Sequence, residues 1–349
     1  MRLEPRSHVP WPLAIGAPVA AAALALALCA LPLALAGADV PAAYRLIFEG
    51  AAGTRFALSE TLTRAAPLML TGLAAAVAFR ARLWNIGAEG QLYMGALAAT
   101  AIGTGVVDVP PMLMMPLVLI AGALAGALWM LGPAWLKVRL GVDEVVTTLL
   151  LNFVVLLLVG MMLEGPLQDP MSLGWPQSPP IVETALLPRL IERTRLHAGL
   201  LLAVFLALAM WILVQRTRTG FELRAVGANA DAARHAGIPV ERVMFKVAII
   251  SGALAGLAGV GEVAGLKGYL TQDLSPGYGY AGIVVATLAQ LHPLGVLVSA
   301  LFVAGIFVGA DSMSRAIGVP TYLADVIVAV SLLSVLVATM LAQYRLRVR

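Results

Sequence analysis

The chain has 349 residues, of which 60% are hydrophobic and only 12% are charged, with a mean hydropathy of +0.92. Soluble domains carry roughly 25% charged residues, so this composition excludes that class and indicates an all-α polytopic membrane protein. The net charge of +4 comes without a basic patch interleaved with aromatic residues, so no nucleic-acid partner is expected. The single cysteine excludes an intrachain disulfide, and no metal-ligand spacing occurs.

Ten apolar segments are candidate membrane spans, within one domain over residues 1–349. Arg2 and Arg6 precede an apolar run over residues 11–36, which exceeds the roughly 7–15 residues of a signal-peptide core and is interpreted as a retained span. The other candidates are 61–79, 88–107, 112–131, 144–163, 198–214, 244–264, 279–290, 293–310 and 321–341. Segment 279–290 is shorter than the roughly 20 residues of a crossing helix, which is consistent with a half-helix.

The basic residues predict the orientation of these spans. An even number of spans places both termini on one side of the membrane. With the N-terminus inside, inner segments hold 15 of the 23 basic residues and outer segments hold the other 8. Because basic residues concentrate on the cytoplasmic side, we predict that both termini are cytoplasmic.

A polar interruption over residues 84–91 is the most informative stretch. Asn85, Glu89 and Gln91 lie there with two glycines, between two uncharged apolar runs. Such breaks often line transport pathways. Alternatively, Asn85 caps a helix and Glu89 lies in its first turn, where the helix dipole favours an acid. We expect the capping role for Glu89, and a pathway-lining role stays open for Asn85 and Gln91.

Two further patterns concern contacts between spans. Glu144, Thr148 and Asn152 are four residues apart, so they form one polar stripe on a helix. This stripe predicts hydrogen bonds between helices or, alternatively, a pathway wall. The string Gly-Ala-Leu-Ala-Gly occurs at residues 122–126 and 252–256, and its small residues predict close helix packing.

The outer loop over residues 164–197 is rich in proline. It carries too few apolar residues in a pattern to form a domain of its own. Three interpretations stay open: a lid, a docking surface for an extracytoplasmic partner, or an ordinary connector.

The largest inner loop, residues 215–243, predicts two short helices joined by a tight turn. Thr219 and Glu222 have the spacing of a capping box, so a first helix over 220–226 should end at Gly227. Asn229 should cap a second helix with Asp231 in its first turn. Gly237 should end that helix.

Absent motifs exclude several functions. The sequence contains no phosphate-binding loop, no His-Glu-x-x-His, no Gly-x-Ser-x-Gly and no cysteine cluster, so no catalytic activity and no cofactor are expected of this chain. Carboxylates within the spans are few, namely Glu262, Asp325 and Glu89. A proton-driven secondary transporter, which usually needs a buried acid–base relay, is therefore a weaker alternative.

Several strings of this sequence resemble permease subunits of ABC importers, in the branched-chain amino acid, ribose and nucleoside group and closest to its nucleoside and simple-sugar branch. The most specific is Asn-Ile-Gly-Ala-Glu-Gly-Gln at residues 85–91. Others lie at residues 60–62, 66–68, 73–79, 147–152, 221–227, 232–233, 237–238, 276–283 and 293–295. Residues 288–292 depart from the group, whose members usually carry a Leu-Gly pair there.

The resemblance implies a type II importer fold with ten spans in the bacterial cytoplasmic membrane. Asp231-Ala232-Ala233-x-x-x-Gly237 is similar to the Glu-Ala-Ala-x-x-x-Gly coupling motif, with Asp in place of Glu. By resemblance, the residues that contact a cytoplasmic ATPase are Gly220, Glu222, Arg224, Gly227, Asn229, Asp231, Ala232, Ala233 and Gly237. The candidate pathway residues are Asn85, Glu89, Gln91, Thr148 and Asn152.

The resemblance also implies the partners. These are the ATPase, which would bind ATP and Mg, a second homologous permease, an extracytoplasmic substrate-binding protein or lipoprotein, and membrane lipid. The expected cargo is a small polar solute, first a nucleoside and otherwise a simple sugar or a branched-chain amino acid.

Overall fold

The computed structural model describes residues 2–5, 23–24, 26–107 and 109–347, and most of these residues are helical. The helices are α1 Leu26–Leu35, α2 Val40–Ala52, α3 Arg55–Arg80, α4 Ala88–Gly103, α5 Pro111–Leu140, α6 Glu144–Leu163, α7 Gly199–Arg216, α8 Arg218–Ala228, α9 Ala230–His235, α10 Val240–Val260, α11 Tyr278–Leu288, α12 Pro293–Ile317 and α13 Thr321–Gln343. A 3-10 turn, Glu183–Ala185, and a π-helix, Gly261–Lys267, complete them. Strands β1, Arg2–Pro5, and β2, Tyr344–Arg347, pair antiparallel.

The chain divides into two compact units. The terminal unit comprises Met1–Thr61 and Leu301–Arg349, and the central unit comprises Leu62–Ala300. In the terminal unit, α1 and α2 meet at a bend of 117°. Gly309 of α12 lies so close to α2 that a Cβ atom there would overlap the backbone carbonyl of Ile47.

The all-helical membrane class is confirmed, but the count of ten spans exceeds what the helices support. In the described part of the chain, six helices are long and apolar enough to cross a membrane, or seven if α1 and α2 form one span. Helices α4 and α11 have 16 and 11 residues, less than the roughly 20 that a crossing requires. The proposed first span over 11–36 lies partly outside the described residues.

Glycines join three helices into the core of the central unit. The repeated string at residues 122–126 of α5 packs directly against its copy at 252–256 of α10. A Cβ atom at Gly126 would overlap the carbonyl oxygen of Gly252, and one at Gly95 of α4 would overlap that of Gly256. The backbones of α4, α5 and α10 therefore touch, as small residues permit in lipid.

The outer loop over 164–197 is fixed to the central unit through its backbone. Ile181 N donates to Gly268 O at 2.9 Å, Val182 N to Gly103 O at 2.7 Å, and Leu187 N to Ala264 O at 2.8 Å. The last acceptor belongs to the π-helix. These bonds make the loop an ordered layer over the ends of α4 and the π-helix. A turn near the start of the same loop exposes three apolar side chains, those of Met171, Leu173 and Trp175.

His197 is buried where the outer loop meets the π-helix. Its Nδ1 accepts a hydrogen bond from Gly199 N at 3.1 Å. The imidazole occupies the place that a side chain on Gly265 would take. Burial lowers the pKa of His197 from 6.5 to about 4, so the ring is neutral in the folded protein at neutral pH.

We expect the folded protein to lose stability as the pH falls from 6.5 to about 4. In this window the unfolded chain binds a proton on His197 that the folded chain excludes, so protons favour unfolding. The full effect is about 3 kcal/mol. Thermal unfolding in detergent should show a melting temperature that falls as the pH is lowered across this window. The fall should be smaller in His197→Gln. The control is His235→Gln at an exposed histidine, which should keep the full pH dependence. If the melting temperature of His197→Gln falls as much as that of wild type, His197 is not the source of the pH dependence.

Candidate functional site

The break between α3 and α4 is held by the polar stripe of α6. Asn152 Oδ1 accepts from Gly90 N at 2.9 Å, and its Nδ2 donates to Ile86 O at 3.0 Å. Thr148 Oγ1 accepts from Ile86 N at 3.2 Å. Glu144 Oε1 accepts from Trp84 N at 3.1 Å. Backbone groups outside regular helix need partners when buried in a membrane protein, and this stripe supplies them.

Asn85 and Gln91 form a buried amide pair at the centre of the break. Asn85 Nδ2 donates to Gln91 Oε1, and Gln91 Nε2 donates to Asn85 Oδ1, both at 2.9 Å. Asn85 Nδ2 also donates to Ser251 Oγ of α10 at 2.9 Å. Asn85 does not cap α4, because Gly87 occupies the N-cap position; its Oδ1 instead accepts from Gly87 N at 2.9 Å and stabilises the turn before the helix.

Glu89 lies in the first turn of α4, as expected, but its side chain caps another helix. Its Oε2 accepts from Gly279 N, the second residue of α11, at 2.6 Å, and the carboxylate also hydrogen-bonds the Ser275 side chain. A Cβ atom on Gly279 would overlap the Glu89 backbone. The N-termini of α4 and α11 therefore converge on one carboxyl side chain, which lies in the first turn of α4 and accepts from the first turn of α11.

Tyr93 joins Glu89 on the same face of α4, one turn further on. Its hydroxyl donates to Gln272 O at 2.7 Å and accepts from Ser275 N at 3.1 Å. Glu89 and Tyr93 thus anchor the segment that leads into α11. The sequence analysis missed Tyr93, although its spacing of four residues from Glu89 was the available signal.

The other end of α11 is held by a strained turn. Gln290 and Leu291 both have positive φ angles, 50° and 58°, which are unfavourable for residues with a Cβ atom. Arg80 Nη2, at the end of α3, donates to Leu291 O at 2.9 Å. The departure noted at residues 288–292 thus includes two left-handed positions.

The first helix of the inner loop begins earlier than predicted. The N-cap of α8 is Thr217, whose Oγ1 accepts from Gly220 N at 3.1 Å, so the proposed capping box from Thr219 to Glu222 is wrong. The Glu222 carboxylate instead lies 2.9 Å from Arg218 and 3.8 Å from Lys246. Gly227 does not end the helix either, because α8 continues to Ala228.

Three residues of α8 that the resemblance assigns to ATPase contact pack closely against other parts of this chain. Gly220 approaches the carbonyls of α7 so closely that a Cβ atom would overlap Leu213 O. The Arg224 guanidinium donates a hydrogen bond to Val214 O, which also belongs to α7. A Cβ atom on Gly227 would overlap Arg80 O. These contacts fix α8 against α7 and α3.

Helix α9 follows the sequence prediction. Asn229 Oδ1 accepts from Asp231 N and Ala232 N, both at 3.0 Å, and Gly237 has a φ of +82° after the helix. Ala233 is buried, with 4% of its surface exposed, whereas Ala232 is exposed. The hairpin face, as it is named here, is a set of exposed residues on α8 and α9 that includes Phe221, Asp231, Ala232, Arg234 and His235.

Comparisons with known proteins place this chain. Residues 57–336 match the family model described as branched-chain amino acid transport system / permease component. The glucose ABC transporter permease protein TsgB13 of Haloferax volcanii is 38% identical, over 99% of this chain and 93% of that protein. The guanosine ABC transporter permease protein NupP of Bacillus subtilis is 36% identical, over 91% and 92%. The nucleoside ABC transporter permease protein NupB of Lactococcus lactis is 33% identical, over 82% and 80%.

Among solved structures, PsaBC from Streptococcus pneumoniae in complex with Fab superposes with a TM-score of 0.49 and 12% identity, covering 84% of this chain and 94% of that chain. The family match covers most of the sequence, and the relatives align over nearly their whole length, so the resemblance drawn from residues 85–91 and the other strings is confirmed. The chain belongs to the family of permease components of the branched-chain amino acid transport system type.

Proposed function

We propose that this chain is a transmembrane permease subunit of an ATP-driven ABC importer. The observation that carries the proposal is the attachment of α11 at both ends. Glu89 binds its N-terminus, and Arg80 binds the turn after its C-terminus. Arg80 also touches Gly227 of α8 through its carbonyl oxygen. The inner loop is therefore in direct contact with a residue that positions a half-helix inside the membrane protein.

The partner ATPase would bind the hairpin face. Helix α9 has six residues, and isolated helices shorter than roughly 12–15 residues are marginal in water. Its stability must therefore come from contacts, and its exposed residues are free to make them with another protein. An ATPase that binds one conformation of this loop better than another shifts the permease between outward-open and inward-open states. ATP and Mg would bind to that partner, and no bond chemistry takes place on this chain.

The proposed cargo is a neutral, hydroxyl-bearing solute, first a nucleoside and second a simple sugar. The names of the relatives, which mention guanosine, nucleosides and glucose, support this class. A second permease and an extracytoplasmic binding protein would complete the transporter in the bacterial cytoplasmic membrane. Both termini would be cytoplasmic, and the outer loop with its exposed turn would face the binding protein.

Replacing Ala232 with aspartate should uncouple the permease from its ATPase. Ala232 is exposed on the hairpin face, and an unpaired charge buried in an interface costs several kcal/mol. We expect Ala232→Asp to reach the membrane at normal levels while substrate-stimulated ATP hydrolysis and co-purification of the ATPase both fall. The matched control is Ala36→Asp, which adds the same charge to an exposed alanine after α1 and should leave ATPase binding unchanged.

Ala233 is unsuitable for this test because it is already buried within the chain, so aspartate there would disturb α9 itself. Wild-type stimulation and stoichiometric ATPase in Ala232→Asp would refute the hairpin face as the docking site. Uptake that survives ATP depletion while the proton gradient is intact would instead favour a secondary transporter.

A further inference from the structure

The chain between the π-helix and α11 descends through most of the membrane without regular secondary structure. This stretch, residues 268–277, is named here the descending segment. At its upper end Gly268 O accepts from Ile181 N of the outer loop at 2.9 Å, beside the outer end of α4. Below its lower end Gly279 N donates to Glu89, in the first turn of α4. At about 1.5 Å of rise per residue, α4 spans about 20 Å from Glu89 to its outer end. The descending segment therefore covers about two thirds of a hydrocarbon core that is about 30 Å thick.

Hydrogen bonds fix the descending segment along one side. Lys267 Nζ donates to Thr271 Oγ1 at 2.9 Å and to Asp273 O at 3.0 Å. The Tyr93 hydroxyl of α4 donates to Gln272 O at 2.7 Å. The segment therefore has a defined position against α4, and the direction of its exposed side chains is defined with it.

Two polar side chains of the descending segment are exposed, those of Gln272 and Asp273. The Asp273 side chain is 88% exposed, so its ion pair with Lys267 does not shield it from its surroundings. An ionised aspartate in contact with lipid is costly, and non-helical backbone at membrane depth occurs where protein buries it or where it lines a water-filled cavity. Because the described part of the chain leaves these two side chains uncovered, water is the environment that meets both conditions.

The polar residues of the break between α3 and α4 are not open to a solute in the same way. Asn85, Glu89 and Gln91 are buried, and each is engaged in hydrogen bonds within the chain. A solute that entered from outside would reach Gln272 and Asp273 while all of those bonds stay intact. The exposed residues are therefore better placed to line the pathway in this conformation.

We propose that the descending segment is one wall of a water-filled vestibule open to the outer side of the membrane, in which Gln272 and Asp273 contact the solute. The inference rests on the proposed function and its orientation, and it names residues for the outer half of the pathway. The wall continues onto α11 at Tyr280, which is exposed and whose hydroxyl accepts from Asn152 Nδ2 at 3.1 Å. Tyr280 lies in the first turn of α11, so it marks the lower end of this wall.

The test measures how fast single cysteines react with an anionic, membrane-impermeant methanethiosulfonate that is applied to intact cells. Gln272→Cys and Asp273→Cys are made in a Cys29→Ala background, which removes the native, buried thiol. Both should react at least about tenfold faster than Phe205→Cys, because the reactive thiolate forms in water and not in lipid. Phe205 is the matched control, since it is 65% exposed on α7 and lies about 9 Å below the outer end of that helix.

Uptake measured after labelling separates a pathway role from exposure alone. The probe is whichever of guanosine and glucose the wild-type transporter takes up, in cells that also express the transporter genes adjacent to this one. The adduct on Gln272→Cys or Asp273→Cys should block most of the uptake, because it occupies the vestibule. Ala36→Cys, at an exposed alanine after α1, should be labelled without loss of uptake.

If neither cysteine reacts faster than Phe205→Cys, the segment lies against lipid or another protein and the inference is overturned. Full uptake by cells whose cysteines have reacted would overturn it as well. Both results leave the proposed function standing, whereas uptake that is independent of ATP would overturn the proposed function and leave the vestibule in place.

Discussion

Alanine at Gly126 should greatly reduce the amount of folded protein, whereas alanine at Gly132 of the same helix should be tolerated. A Cβ atom at Gly126 would overlap Gly252 O and the backbone of Gly256. Backbone atoms cannot turn away as flexible side chains do, so α5 and α10 must separate. Overpacking of this kind costs about 1–3 kcal/mol, and the loss of contact along both helices adds to it.

Gly132 provides the matched control because a Cβ atom there meets no atom within 4 Å. Alanine is the better helix former by roughly 0.5–1 kcal/mol, but Pro133 follows and disfavours helical backbone for a residue with a Cβ atom, so Gly132→Ala should be close to neutral. The measurement is membrane yield together with the thermal unfolding midpoint of purified protein. Equal midpoints for the two variants would show that α5 and α10 are not packed through these glycines.

Removing the side chain of Glu89 should reduce uptake by about tenfold or more without preventing insertion. Glu89→Ala deletes the acceptor that holds Gly279 N at the start of α11. Hydrogen bonds to charged groups contribute about 1.5–3 kcal/mol, enough to release the half-helix N-terminus. Glu89→Gln keeps an acceptor oxygen and should have a smaller effect.

The control for Glu89 is Glu49→Ala, which removes an exposed acid of α2 whose surface ion pair with Arg45 contributes little. Uptake and surface expression should be measured in the same cells, so that a lower rate is separated from a lower amount. Wild-type uptake by Glu89→Ala would remove Glu89 from the functional residues. Parallel loss of protein and uptake would assign it to folding alone.

Local sequence signals predicted the helices with regular ends. Helix α6 was predicted over residues 144–163 and has those bounds, because Asp143 caps it by accepting from Val145 N at 2.8 Å. The signal was ambiguous at α8, where Thr217 and Thr219 are both plausible caps. Thr217 is the N-cap because Gly220 packs against the backbone carbonyls of α7. A local sequence pattern does not show that contact.

Most of the structural features that could not be predicted from the sequence depend on contacts between residues far apart in the chain. The length of segment 279–290 predicted a half-helix at α11, but the apolar run over 88–107 predicted a full span where α4 has only 16 residues. The spacing of Glu144, Thr148 and Asn152 predicted a shared face, yet not that the face binds the backbone of residues 84–90. Whether Asn152 or Gln91 also contacts substrate stays a prediction.

The turn after α11 has a narrow energetic margin. Two consecutive left-handed residues, Gln290 and Leu291, together cost about 2–4 kcal/mol relative to ordinary backbone. The bond from the Arg80 guanidinium to Leu291 O contributes about 1.5–3 kcal/mol. Because the two quantities are comparable, the Arg80 bond offsets much of the backbone cost, and its loss would leave the turn to the backbone bonds from Gln290 N, Leu291 N and His292 N.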